Sequence, residues 1–241
     1  MGTWNDVLSE VTVSGSNFDI ICGDAREVRY HAVFRDCYSR DVLGVIFALH
    51  FPGTVEIADL TWGKGAFWRK PLADQVIHRF DKAPRYGACY ADSRKCPLLD
   101  SAVDVAVFDP PHQHARGHNT TLHQEADFGS LASQAEIHAL IRDTAPELRR
   151  IARLGAVVKM TDMVEAGRFM PTHILAASAL APVLGWPEDL AILDSGVPRP
   201  VRGRVLHLRH AHSYFLVYKW KTREPRSPFA PWPVTGRSSG D

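Results

Sequence analysis

Residues 103–114 read VDVAVFDPPHQH. An apolar run ends on an acid, Asp109, and the next two residues, Pro110 and Pro111, carry no backbone N–H. His112 follows them. Each proline fixes φ, so the turn is stiff as well as poor in donors. A carboxylate and a prolyl carbonyl are held close together with no local N–H competing for them. A ligand at such a turn has to bring the hydrogens.

A second stretch, ADLTWGKGAFW, puts an acid at the end of another apolar run and then two glycines. Gly63 and Gly65 let the backbone turn tightly and come close to a ligand. The spacing is G-x-G with no third glycine, so the dinucleotide fingerprint is incomplete. The G-x-x-x-x-G-K-[ST] spacing of a phosphate loop is missing, which disfavours nucleotide triphosphate hydrolysis. Asp59, Leu60, Thr61, Gly63 and Gly65 form a candidate tip for a ligand that carries a cation and no phosphate. Asp81 closes the next strand, where an acid can accept hydrogen bonds from both hydroxyls of a ribose. Asp92 follows a third strand, where a carboxylate can take a hydrogen bond from an adenine amino group. Glycine turn, ribose acid and base acid describe an adenosine pocket without phosphates. S-adenosyl-L-methionine meets that description, and the alternative for each acid is a loop cap or a solvated charge.

DLTWGKG followed by DPPH resembles the class I S-adenosylmethionine-dependent methyltransferases that methylate amino groups in DNA. That group carries a D/N/S-P-P-aromatic motif after its fourth strand. The resemblance covers about residues 40–220, including ELRRIARLGAVVKMTD and the closing HSYFLVYKW. It implies a Rossmann-like fold and methylation of N6 of adenine or N4 of cytosine, with Asp59, Leu60, Thr61, Gly63, Gly65, Asp81, Asp92 and Asp109 at the cofactor. An exocyclic amine conjugated to a base ring is a poor nucleophile. Asp109 would accept one of its hydrogens and the carbonyl between Pro110 and Pro111 the other, which positions the nitrogen for attack. The residue after the prolines would stack on the flipped-out base. Here it is His112 rather than Tyr, Phe or Trp; an imidazole offers less stacking area and also titrates.

Other constellations compete for attention. His112, His114, His118 and His123 crowd one loop, yet a substrate-gating or nucleic-acid-contacting loop is a better expectation than a metal site, and no metal is assigned. Cytosine C5 chemistry needs a thiolate by the proline turn, and Cys96 precedes Pro97 in the wrong loop. Lys64, Arg116 and Lys159 add positive charge near the pocket. Trp62, Phe67 and Trp68 read as core or pocket wall. RPVRGRVLHLRHAHSYF, with Arg202, Arg204 and Arg209, could lie along a phosphate backbone; the plain alternative is a solvated strand.

These residues must be held by elements. Thr54–Leu60 reads as a buried strand, and a helix is expected from about Ala66 until Pro71 resets it. Short strands end at Asp81 and before Asp92, and VDVAVFDPP is the fourth. Residues 112–130 form a long polar loop. A helix follows over 133–155, divided or kinked at Pro146 and stopped by Gly155, then a strand over 156–162. Further elements are a helix near 41–51, another in THILAASALAPVLG, a strand in DLAILDSG and a last strand over 212–220. SNFDIICGDA could add a short strand. Strands alternating with helices predict an α/β fold: a mostly parallel seven-stranded sheet with a C-terminal antiparallel hairpin. Ligands of such sheets bind beyond the carboxyl ends of the strands, where all four acids fall.

The 241 residues are 45% hydrophobic and 23% charged, enough for a substantial core. We divide them into an N-terminal extension (1–40), a methyltransferase domain (41–222) and a Pro/Ser/Gly-rich tail (223–241). Net charge is +1, so polyanion binding would have to be local. Eight cations between Arg199 and Arg226 face the single acid Glu224. Cys22, Cys37, Cys89 and Cys96 form no C-x-x-C pair, and no signal peptide or membrane span is visible, so a cytoplasmic protein with free thiols is expected. No separate target-recognition domain is evident, which leaves specificity to residues 1–40, 112–130 and 194–212, to a dimer partner or to an accessory protein. Three functions stay open. The first is a phage- or defence-associated DNA methyltransferase of the restriction–modification kind. The second is the same chemistry on RNA or on a small-molecule or protein amine. The third is a degenerate nucleic-acid-binding subunit.

Overall fold

The structure, a computed structural model, describes residues 32–35, 37–54, 56–68, 70, 72–84, 86–111, 133–165, 168–194 and 212–220. The chain runs β1 (Val33–Arg35), α1 (Ser39–His50), β2 (Ile57–Asp59), α2 (Leu72–Gln75), β3 (Val76–Asp81), β4 (Cys89–Tyr90), β5 (Val103–Phe108), α3 (Gln134–Ile151), β6 (Ala152–Thr161), β7 (Met163–Glu165), β8 (Arg168–Met170), α4 (Thr172–Leu184), β9 (Asp189–Asp194) and β10 (His212–Lys219).

β-branched and other apolar residues build the centre of the sheet. β5 is buried at every position, as expected of a central strand covered on both faces. The main sheet has the order β1-β9-β10-β6-β5-β2-β3-β4. β2, β3, β4, β5 and β6 are mutually parallel, and β10 lies antiparallel between β6 and β9. This is the mostly parallel, Rossmann-like α/β arrangement that the sequence predicts, with its antiparallel β9–β10 pair near the C-terminal end. An eighth strand, β1, pairs parallel with β9; it comes from three residues that carry no strand signal of their own. A separate β7–β8 hairpin follows β6. The strand expected in SNFDIICGDA lies outside the described residues.

Alternation along the strands divides the core in two. Ala106, Phe108, Ala156, Val158 and Met160 face α3 and α4, while Val105, Val107 and Val157 face α1 through Val42, Leu43, Ile46 and Phe47. At the amino ends, Arg153 donates to Glu56 Oε2 and Asp104 Oδ1, both at 2.7 Å, and Asp104 Oδ2 accepts from the Glu56 N–H at 3.1 Å. That network ties β2, β5 and β6 together at one end, which fixes how their tips align at the other.

Three local expectations change. Among the described residues no helix starts at Ala66: residues 63–67 form turns, and the single turn of α2 follows. α3 runs through Pro146 without a break, because a proline removes only one intrahelical N–H and the apolar face, Ile137, Ile141, Ala145, Leu148 and Ile151, is wholly buried. Gly155 stops no helix: it lies inside β6, where a Cβ would come within 2.2 Å of the Tyr218 carbonyl oxygen and 2.6 Å of Phe51.

Candidate functional site

The chain crosses from β2 out to β3 and β4 and then returns to β5 on the other side of β2. The strand order therefore reverses between β2 and β5, the place where such sheets open a ligand crevice. Asp59 and Asp81 are the last residues of β2 and β3, Asp109 follows β5, and Asp92 follows β4. All four acids thus stand at the same end of the sheet.

Asp59 is buried at the β2 tip. Trp68 Nε1 donates to its Oδ2 at 2.7 Å and the Thr61 N–H to its Oδ1 at 2.9 Å. Burial pushes its carboxyl up to about 7, against the pull of those two hydrogen bonds; the charges of Asp109 and Asp81 push the same way. Asp59 therefore sets the shape and charge of the tip from within rather than lining an open surface.

The turn after β2 uses both glycines in the left-handed region, Gly63 at φ 52° and Gly65 at φ 68°. A Cβ on Gly65 would lie 2.5 Å from the Trp62 ring. Asp81 fastens this turn to β3: its Oδ2 accepts the Gly63 N–H at 2.9 Å and its Oδ1 the Ala83 N–H at 2.8 Å. Asp92 is engaged differently. Oδ1 accepts from the Arg94 N–H and Nε, and Oδ2 from Nη2 at 2.6 Å. The Arg94 guanidinium holds that carboxyl down at about 2.

The β5 tip lies against the glycine tip. The Asp109 N–H donates to Thr61 Oγ1 at 2.7 Å, and Leu60 N–H donates to the Val107 carbonyl at 3.0 Å. Asp109 Oδ2 accepts from Lys159 Nζ, on β6, at 3.1 Å. Pro110 is buried and Pro111 half-buried. His112, Arg116, Arg202, Arg204, Arg209 and the histidine-rich loop lie outside the described residues.

Two participants escape a sequence reading. Trp68 is the hydrogen-bond donor that holds Asp59, and no spacing rule points an indole nine residues back at an acid. Beyond β6, the buried Asp162 forms a cluster with the half-buried His173 and Tyr214. Its Oδ1 lies 2.7 Å from His173 Nδ1, and the His173 and Tyr214 rings stack with centroids 3.9 Å apart. Burial, with the Asp162 charge beside it, pushes the Tyr214 hydroxyl up. The available signal was the one used for the other acids, an aspartate at the end of an apolar strand.

No protein-family model matches the chain, and no curated protein matches it. Solved structures overlap loosely. One is a protein of Thermus thermophilus, provisionally assigned as a DNA modification methylase and complexed with S-adenosyl-L-methionine. It shows 18% identity and a TM-score of 0.37, over 62% of this chain and 57% of that one. A protein of Pyrococcus horikoshii shows 12% identity and a TM-score of 0.41, over 75% and 88%. A SAM-dependent methyltransferase of Aquifex aeolicus shows 15% identity and a TM-score of 0.35, over 75% and 88%. The chain spans little more than half the length of the Thermus protein. At these scores the overlaps carry no ligand or reaction across.

Proposed function

We propose that this chain is a methyltransferase that uses S-adenosyl-L-methionine to methylate an exocyclic amino group of a DNA base, N6 of adenine or N4 of cytosine. One observation carries the reading: the 2.7 Å hydrogen bond from the Asp109 N–H to Thr61 Oγ1 joins the glycine tip to the Asp-Pro-Pro tip. Two half-sites of complementary chemistry are thereby neighbours at the switch point of the sheet.

The residues fit a cationic adenosine derivative. Asp59, Asp81 and Asp109 lie close enough for each of the other two to disfavour ionisation of Asp59. The Gly63 N–H is given to Asp81 rather than left for a phosphate. Asp81, after accepting two N–H groups, retains lone pairs for ribose hydroxyls, and Asp92 can take an adenine amino group beside Arg94. Asp59, Leu60, Thr61, Gly63 and Gly65 shape the wall facing the sulfonium end. Bound there, S-adenosyl-L-methionine supplies an electrophilic methyl group. Asp109 and the Pro110 carbonyl accept the two hydrogens of the substrate amine, and the rigid prolines keep them in place. His112 stacks on the base. Arg116, Arg202, Arg204 and Arg209 contact the phosphate backbone, with target choice left to the flanking loops, a second copy of the chain or an accessory subunit.

The test is transfer of a labelled methyl group to DNA, RNA and protein in parallel. Asp109→Ala is expected to lower transfer to DNA by at least about a hundredfold while the cofactor still raises the melting temperature. Label entering only RNA or protein would move the substrate assignment, and normal transfer by Asp109→Ala would end the catalytic one.

A further inference from the structure

We propose that Lys159 and Asp109 together form a donor–acceptor edge that reads the substrate base: Asp109 takes the exocyclic amine and Lys159 donates to the ring nitrogen beside it. This deepens the amine-methylation reading and rests on it.

The placement comes from the sheet. β5 and β6 are parallel neighbours with Phe108 opposite Val158, so Asp109, just past the end of β5, comes next in register to Lys159, which is still within β6. Lys159 Nζ donates to Asp109 Oδ2 at 3.1 Å. The lysine is fixed by more than this bond. Its side chain is only 12% exposed, and Nζ lies 5.0 Å from the centre of the Phe67 ring. Phe67 is itself held between Trp68 and Phe215. An ammonium carries three N–H donors. Asp109 takes one and the Phe67 face attracts the charge. A donor remains for a ligand that approaches Asp109.

The electrostatics argue that this lysine faces substrate. A positive charge at the Asp-Pro-Pro tip opposes a cationic ligand at the adjacent glycine tip, so a neutral residue would serve cofactor binding better. As a structural ion pair it contributes little, because partly buried pairs lose in desolvation much of what they gain in attraction. Its position is explained by a substrate that presents a donor and an acceptor together. Adenine offers N6 next to N1, and cytosine offers N4 next to N3. An aliphatic amine has no ring nitrogen to receive the lysine. The pair therefore favours an amino group on an aromatic heterocycle, and reading its Watson–Crick edge requires the base to be out of the helix.

The experiment couples one protein change to one substrate change. Full-length wild type, Lys159→Met and Lys159→Arg are assayed for methyl transfer to two DNAs of the same sequence. One is natural; in the other the methylated base is replaced by its 1-deazaadenine or 3-deazacytosine analogue, which keeps the amine and loses the ring nitrogen. Wild type should lose about ten- to a hundredfold in kcat/KM on the deaza DNA, as for a hydrogen bond from a charged group. Lys159→Met should lose as much on natural DNA and nothing further on the deaza DNA, while its cofactor-induced thermal shift persists. Lys159→Arg keeps a cationic donor and should retain part of the discrimination; it decides the matter if the methionine variant does not fold. Equal deaza penalties in wild type and in the folded variant would overturn the assignment of Lys159 and leave the amine reading intact. No methylated base with the wild type, in any nucleic acid, would remove that reading and this inference with it.

Discussion

Asp59 is the residue on which charge and shape meet. It is wholly buried, and Trp68 and Thr61 supply two hydrogen bonds to offset the loss of water. Burial still dominates, so the carboxyl is pushed up to about 7. A carboxyl that protonates more easily in the folded chain holds more protons there than in the unfolded chain between about pH 4 and 7. Folding stability therefore falls as pH rises across that window, by something on the order of 4 kcal/mol from this group alone. Thermal melts from pH 4.5 to 8 should show that fall in wild type and a much flatter profile in Asp59→Asn, which does not titrate. An equal slope in both would place the proton elsewhere. A cationic ligand at the tip should favour the ionised form, so titration calorimetry should find cofactor affinity rising with pH through about 7.

At the level of elements, the sheet works by bringing tips together, and single atoms make the joins. Thr61→Val deletes the hydroxyl that accepts the Asp109 N–H but keeps the size of the side chain. It should cost about 1 kcal/mol of stability and a larger share of methyl transfer, near tenfold, because the Asp-Pro-Pro tip loses its register to the glycine tip. Gly155→Ala should be worse for folding and carry no specific effect on the site. Its Cβ has no room beneath the β10 backbone, and overpacking of this kind costs about 3 kcal/mol in denaturant titrations. These elements were unevenly legible. Acids at the ends of apolar runs announced four strand tips correctly: Asp59 and Asp81 close β2 and β3, Asp109 follows β5, and Asp92 follows the exposed β4. The helix expected from Ala66 was lost to tertiary forces. Trp68 turns to Asp59 while Phe67 turns to Lys159 and Phe215, which no local propensity expresses. Gly155 looked like a helix stop because its true reason, the approach of Tyr218 on the last strand, is invisible in the sequence. Thr61 stood out in the sequence only as part of a candidate tip; its bond to Asp109 was not legible, because the partner is 48 residues away.

Over the whole molecule, a net charge of +1 conceals a division of labour. Acids gather at the strand tips, where a small cation would sit, while the segment from Arg199 to Arg226 is strongly basic. Neutralising Arg202, Arg204 and Arg209 together should weaken binding to mixed-sequence DNA and reduce the salt dependence of the affinity by up to about three units of slope, near one per phosphate contact. An unchanged slope would show that those arginines do not meet phosphate. The account stands on the chemistry proposed for the acidic strand tips. The most direct test incubates the full chain with S-adenosyl-L-methionine and DNA, digests the product to nucleosides and identifies the modified base by mass. The account predicts N6-methyladenine or N4-methylcytosine, formed by wild type and not by Asp109→Ala. A product methylated at ring carbon, or the same methylated amine from both proteins, would contradict it.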